Sequence, residues 1–289
     1  MTGNRLVAVV CESTACIPPD LAKELEIGVI PVPFSLGDEN YLDGVTIAPS
    51  VLYERIRQSR LAPKTSPPAP GAYLQAWRES GAPAVLTVTV NSRVSTLQRA
   101  AMMAKDLAPT DLPGVEVAVL DSLSAGMGQG FTAIEAARAA ANGKDLKNVI
   151  RRSERIRDAM RMLITLDTLE YLGRASRLPQ VAAFMGSLIP IRPVILLAGG
   201  AVHVVARPRS RQRAITELIN RMEREVTPGR LHVAVQHAGA AEEADRLRRS
   251  IQERFDCSEL ITAEYSPVIG GYAGPGLLGV AFYAEQEAA

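Results

Sequence analysis

Ala84-Val85-Leu86-Thr87-Val88-Thr89-Val90-Asn91-Ser92-Arg93-Val94-Ser95-Thr96-Leu97-Gln98 reads as a strand, a polar loop and the start of a helix. The first seven residues form an apolar run. Ser95-Thr96-Leu97-Gln98 carries a capping-box pattern, which marks a helix N-terminus. A strand running through a polar loop into a helix start leaves backbone N–H groups unpaired and presents the positive end of the helix dipole, so it suits an anion. A second hydroxyl, Thr65, opens Thr65-Ser66-Pro67-Pro68 inside a loop, 61–71, that holds four prolines. No acid–base pair and no metal-ligand cluster accompanies either motif in the sequence. The pair therefore points to holding a small anionic group rather than cleaving it. Taken alone, Ser95 reads equally as a simple helix cap and Thr65 as a turn residue.

Working outward, strands alternate with helices. Arg5 to Val10 reads as a buried strand, and Gly28 to Phe34 as the next. Asp38-Glu39-Asn40 and Tyr41-Leu42-Asp43-Gly44 read as turns, with Ser50 capping a helix to Arg60. Further strands are expected at Val115 to Leu120 and Met160 to Leu166, and helices at Thr132 to Ala141 and Pro179 to Leu188. Val194 to Leu197 and Val202 to Val205 flank Ala198-Gly199-Gly200-Ala201, a hairpin signal. The alternation predicts an α/β fold of two α/β domains. The N-terminal one, 1–155, is expected to have a mainly parallel sheet. The C-terminal one, 156–289, is expected to have a mixed sheet.

The 289 residues are ample for such a core. Hydrophobic residues make up 47% and charged residues 22%, with a net charge of +1, so nothing in the balance calls for nucleic acid or an anionic membrane. Three cysteines, Cys11, Cys16 and Cys257, make neither a disulfide framework nor a zinc site. No signal-peptide layout opens the sequence. Its most apolar long stretch, Ser187 to Ala206, is interrupted by Pro190, Arg192, Pro193 and Gly199-Gly200, so no integral membrane segment is expected. Together these features predict a reduced, cytoplasmic protein that uses no cofactor or metal.

Other chemistries are less well supported. Gly126-Met127-Gly128-Gln129-Gly130 has G-x-G-x-G spacing, not the G-x-G-x-x-G of a dinucleotide loop, and close backbone packing explains it better. There is no P-loop and no G-x-S-x-G elbow. His203 and His232 fall within strands and read as structural. His237 ends a strand and is the one base by which Ser95 could serve as nucleophile of an acyl or phosphoryl-transfer enzyme, the alternative reading.

Nine motifs in order resemble one family. They are Cys11-Glu12-Ser13-Thr14-Ala15, Tyr41-Leu42-Asp43-Gly44, Thr65-Ser66-Pro67-Pro68 and Asn91-Ser92-Arg93-Val94-Ser95-Thr96. Then come Leu120-Asp121-Ser122 with Gly126, Gly128 and Gly130, followed by Arg174-Ala175-Ser176-Arg177-Leu178. Gly186-Ser187-Leu188 with Arg192-Pro193, Arg209-Ser210-Arg211, and Ile269-Gly270 with Gly274-Pro275-Gly276 complete the set. Each is weak alone; nine in sequence are specific. Over nearly its whole length the chain resembles the DegV family of bacterial fatty-acid-binding proteins. The resemblance implies a long-chain fatty acid whose carboxylate is held by a Thr and a Ser at the positions of Thr65 and Ser95. Ser66, Ser92, Thr96, Tyr272 and Gly274 are candidates around that head group. It further implies that some members present the acid to a separate fatty acid kinase, while the binding chain has no catalytic residue. Arg174 and Arg177 belong to the family's arginine-rich loop and are candidates for the head group or a partner.

The chain departs from the family pattern in four places. Glu12 replaces an Asp, Pro67 replaces a Gln, the glycine after Ser95 is missing, and Tyr272 stands where a histidine is common. The apolar tail is expected to run along Phe184, Met185, Leu188, Ile189, Ile191 and Ile195, or these residues are ordinary core.

Overall fold

A computed structural model describes residues 5–59, 61–174 and 191–285, with Arg174 described only by its backbone. Four parallel strands form the first sheet in the order β2 (Ile27–Ile30), β1 (Val7–Glu12), β6 (Ala84–Thr89) and β7 (Glu116–Asp121). Every residue of β6 is buried. Its sequence accordingly runs apolar without alternation, as a strand covered on both faces requires.

The second sheet has six strands in the order β10 (Ala201–Ala206), β9 (Val194–Ala198), β8 (Arg161–Thr165), β13 (Leu278–Ala284), β11 (Leu231–His237) and β12 (Cys257–Glu264). Its neighbours pair antiparallel except β11 with β12, so it is mixed. A small antiparallel sheet joins β4 (Glu39–Leu42), β3 (Pro33–Leu36) and β5 (Lys64–Thr65). This is the α/β architecture expected, with a parallel first sheet and a mixed second one.

The two large sheets share one helical layer. Helices α5 (Met127–Ala141) and α6 (Leu146–Ala159) pack on β1 and β6 on one side and on β13 on the other. From Met127 to Ala137, α5 is buried on every side, and apart from Gln129, Thr132 and Glu135 it carries only glycine and apolar residues, so it is not amphipathic. Residue 155, where the sequence reading divides the chain, lies within α6. The outer face of the first sheet is covered by α3 (Pro70–Ser80) and α4 (Leu97–Asp111), through Tyr73, Trp77, Ala101 and Ala104. That of the second is covered by α8 (Arg211–Glu225) and α9 (Ala241–Arg254). Four shorter helices complete the described set: α1 (Pro19–Glu24), α2 (Pro49–Gln58), α7 (Glu170–Arg174) and α10 (Pro267–Ala273).

Several sequence-based boundaries shift for identifiable reasons. The expected strand Gly28 to Phe34 is two strands in different sheets, because Pro31 and Pro33 lack the N–H a continuous ladder needs. Glu39-Asn40 and Tyr41-Leu42, read as parts of turns, form β4; the turn spans 44–46, between Asp43 and Ile47, which bridge, and Gly44 there has φ +71°. Helix α2 starts at Pro49, a favoured first helical position, and not at a Ser50 cap. Helix α4 starts at Leu97, so Thr96 is its boundary residue. Ser95 still accepts a hydrogen bond from the Leu97 N–H at 3.3 Å. Gly199 and Gly200 both have positive φ, as the β9–β10 hairpin requires. The expected helix Pro179 to Leu188, together with Arg177, Phe184, Met185, Leu188 and Ile189, lies outside the described residues.

Close approach of α10 to α2 depends on Gly270. A Cβ there would stand 2.3 Å from Tyr53 Oη and 2.5 Å from its ring, and Tyr53 is 1% exposed. The Tyr53 hydroxyl also donates to the Tyr265 carbonyl at 2.7 Å, so the ring cannot swing aside without losing that bond. Gly270→Ala is expected to lower unfolding stability by about 1–3 kcal/mol, the usual range for overpacking, measurable by urea denaturation.

Candidate functional site

Where the C-terminal ends of β1 and β6 meet the inner face of the second sheet, the structure encloses about 930 Å³ of empty space, counting its opening to solvent. Crevices at the carboxyl ends of parallel strands are the usual ligand sites of open α/β sheets. Val32, Val90 and Leu97 line it from the first sheet's loops, and Met162, Ile164 and Leu197 from β8 and β9. Val268, Ile269 and Ala273 of α10 close another side, with Leu166, Leu172 and Leu277. The lining is thus overwhelmingly hydrocarbon, as in pockets for small apolar ligands. Ile195 is buried in β9 and Ile191 packs against the core, but neither lines the cavity.

Five hydroxyl side chains line the same cavity: Thr14 and Tyr265, which are buried, and Thr65, Ser95 and Tyr272. The last three are partly exposed, whereas Met162, Ile164, Leu166 and Leu197 are buried, so these three mark the solvent end. Tyr272 Oη accepts the Thr65 N–H at 3.0 Å and lies 2.8 Å from Thr65 Oγ1. Ser95 Oγ is an acceptor toward Leu97, which leaves its own O–H to donate. The other sequence candidates sit differently. Ser66, Ser92 and Thr96 are exposed and do not line the cavity. The Ser66 N–H donates to the Pro33 carbonyl, and that of Ser92 to the Asp121 carboxylate. Gly274 has φ +89°, and a Cβ on it would meet the Tyr171 ring at 2.1 Å, so its role is to let that ring lie against the backbone. Arg174 is the last residue of α7.

His237 does not line the cavity, and no hydrogen bond links it to Ser95 among the described residues. Its Nδ1 is buried without a partner there, and burial pushes its pKa down. His232 is held between the carboxylates of Glu259 and Glu285 and stacks on Tyr283 at 4.6 Å. Among the described residues no group of three His, Cys, Asp or Glu could hold a metal ion, and no helix is long and apolar enough to cross a membrane.

Two buried carboxylates, neither anticipated as site residues, position these hydroxyls. Glu12, 0% exposed, accepts from Tyr73 Oη at 3.0 Å, Gln129 Nε2 at 2.8 Å and the Val90 N–H at 3.2 Å. Val90 opens the loop that carries Ser95. Tyr73 Oη also reaches the carbonyl of Leu97, where that loop ends, at 3.4 Å. One carboxylate therefore braces both ends of the Ser95 loop. Asn91 fixes the loop's outer side, donating to the Gly200 carbonyl of the β9–β10 hairpin at 3.1 Å. Asp43, 1% exposed, accepts from Ser13 Oγ at 2.7 Å and from the Val268 N–H at 2.9 Å. It thereby holds the first turn of α10, the helix that bears Tyr272. Burial raises the Asp43 pKa against the pull of these donors. The signal available in the sequence was the acid in each motif, Glu12-Ser13-Thr14 and Tyr41-Leu42-Asp43-Gly44.

Burial also raises the Glu12 pKa, to about 7, although its hydrogen bonds from Tyr73, Gln129 and Val90 oppose the shift. Its contribution to stability is therefore fully present below the ordinary value of 4.5 and is lost as pH rises through about 7. Measured as the difference from Glu12→Gln, wild-type unfolding free energy should fall between pH 5 and pH 8 by up to ~3 kcal/mol, from about 1.4 kcal/mol per pKa unit. Denaturant titrations across that range check it; a constant difference would contradict the assigned environment.

The fold has close counterparts. A family model described as "Uncharacterised protein, DegV family" matches residues 6–285. A DegV domain-containing protein of Clostridium acetobutylicum is 30% identical over 284 residues, covering 97% of this chain and 99% of that one. Among solved structures, a Thermus thermophilus DegV family protein titled for its fatty acid binding superposes with a TM-score of 0.89 at 26% identity, covering 97% of this chain and all of that one. DegV of Bacillus subtilis, titled a fatty acid binding protein, gives 0.87 at 26% identity, again covering 97% of this chain and all of the other. The chain belongs to the DegV family.

Proposed function

We propose that this protein binds one long-chain fatty acid, its hydrocarbon tail inside the cavity and its carboxylate at Thr65, Ser95 and Tyr272. The observation that carries the reading is the union, in one cavity, of an almost wholly apolar lining with three hydroxyls gathered at the solvent end. The fatty acid binding named for the Thermus thermophilus and Bacillus subtilis relatives supports it.

The energetics divide between the two ends. A sixteen-carbon chain has about fifteen methylene and methyl groups, and burying each is worth roughly 0.8 kcal/mol, so the tail contributes on the order of 10 kcal/mol before entropic losses. The head supplies orientation. Charge-assisted hydrogen bonds from hydroxyls, with the start of α4 beside Ser95, hold a carboxylate without a buried cation. Keeping that end partly exposed avoids the cost of burying an unpaired charge.

The same arrangement suits presentation of the head group to a second protein. We propose that this partner is a fatty acid kinase that makes an acyl phosphate, with no catalytic group supplied by this chain. Arg174 and Arg177, on the arginine-rich segment, are the proposed docking cations.

Native purification followed by lipid extraction should recover bound acyl chains, and delipidated protein should take up palmitate or oleate. Thr65→Ala/Ser95→Ala should weaken that binding by about tenfold or more, as loss of charge-assisted bonds implies. Protein that neither carries nor takes up acyl chains would refute the reading. With a bacterial fatty acid kinase and ATP, loaded protein should yield acyl phosphate, and a double substitution of Arg174 and Arg177 to Ala should slow that step more than it weakens acid binding.

A further inference from the structure

Deep in the cavity wall, away from the three hydroxyls already discussed, Tyr265 presents a polar group the fatty-acid reading does not use. Tyr265 lines the cavity and is 0% exposed, yet its Oη has no hydrogen-bond partner among the described residues. Gln236, also 0% exposed, is its neighbour. Gln236 Oε1 accepts the Met127 N–H at 2.8 Å, while its Nε2 has no partner among the described residues.

Two glycines show that the groups share one spot. A Cβ on Gly126 would lie 2.9 Å from the Tyr265 ring and 3.2 Å from Gln236 Nε2. A Cβ on Gly279 would lie 2.4 Å from Tyr265 Oη and 2.9 Å from Ile164, a residue of the cavity wall. Gly279 is also the register partner of Gln236 across β13 and β11. Both glycines thus leave room for this tyrosine and this amide to stand together; Tyr265, Ile164 and Ala125 line the cavity, and Gln236 stands next to Tyr265 outside the lining.

Both unused groups are donors: the amide can only donate from nitrogen, and burial holds the Tyr265 hydroxyl protonated by raising its pKa well above the ordinary value. Buried donors in native proteins nearly always have an acceptor, because leaving one unmet costs the desolvation of that group. The remaining polar side chain of the lining, Thr14, gives its hydroxyl hydrogen to Gln129 Oε1 at 2.9 Å, and no hydrogen bond joins it to Tyr265 or Gln236 among the described residues. An acceptor carried by the ligand meets the need. A plain alkyl tail has none.

Resting on the fatty-acid reading, we infer that the cavity selects acyl chains bearing an oxygen function, a hydroxyl or oxo group, along the tail, recognised by Tyr265 Oη, beside which Gln236 stands. Tyr265 is then a specificity-determining residue of the tail and not of the head.

The sign of the effect separates this from an indifferent tunnel. In a purely apolar channel an added hydroxyl weakens binding, because it loses water and gains nothing. Delipidated wild-type protein is titrated with stearate and with positional series of monohydroxy- and oxo-octadecanoic acids, spanning the middle and far end of the chain. A contiguous group of positions is expected to bind about fivefold to tenfold more tightly than stearate, the value of one or two net hydrogen bonds. Tyr265→Phe should remove most of that advantage while stearate binds as well as before, and Gln236→Leu should reduce it. The inference is overturned if stearate binds and no oxygenated isomer binds more tightly, or if the advantage survives both substitutions. Failure of stearate and every isomer to bind overturns the fatty-acid reading along with it, so the two are told apart by stearate. The wild-type series decides the matter even where a substituted protein fails to fold.

Discussion

Two carboxylates taken out of water, Glu12 and Asp43, hold the parts of this molecule that matter most, and neither has an ion-pair partner among the described residues. Each is satisfied by neutral donors instead: Tyr73, Gln129 and Val90 for Glu12, and Ser13 and Val268 for Asp43. Such groups cost the desolvation of a charge unless every lone pair is met, so their donors are fixed in place as firmly as the acids themselves. Glu12 braces both ends of the Ser95 loop from inside the first sheet. Asp43 ties the small sheet to α10 and so to Tyr272. Three elements far apart in sequence are thereby brought to one cavity wall.

The shared helical layer explains why a cavity exists at all. Helix α5 must touch both sheets, and the glycines at its start let it do so. A Cβ on Gly128 would stand 2.0 Å from Ser124 Oγ, and one on Gly130 2.7 Å from the Ala15 carbonyl. The G-x-G-x-G run therefore serves packing. Among the described residues no further helix of that layer continues beyond the N-terminal end of α5, and the space there is lined from β8, β9 and α10. A layer that separates two sheets and stops short leaves a volume at its end.

Much of this was legible because it is local. The strand at Ala84–Thr89, the loop to Ser95 and the hairpin at Gly199-Gly200 follow from short-range pattern and turn chemistry. What was not legible is long-range. A charged residue in a single sequence reads as surface, so Glu12 and Asp43 gave no sign of being buried. Met162, Ile164 and Leu197 show the periodicity of core residues, and periodicity does not distinguish a wall facing a void from one facing side chains. Pro31 and Pro33 were visible in the sequence, but that they divide one apolar run between two sheets depends on β1 and β5 capturing its halves. Tyr265 belongs to no motif; its meaning comes only from Gly126 and Gly279, both distant in sequence.

Tyr272 gives the polar end its character. A histidine there could add positive charge near neutral pH; a phenol, ordinarily titrating near pH 10, cannot. Its oxygen accepts the Thr65 N–H and lies 2.8 Å from Thr65 Oγ1, where either hydroxyl can donate. An anion bound as proposed would meet O–H donors and a helix start, with the Ser95 loop braced by Glu12 and α10 by Asp43. Neutral donors stabilise a carboxylate by direction, not by net charge, so affinity at this end should depend weakly on ionic strength compared with a site built on a cation.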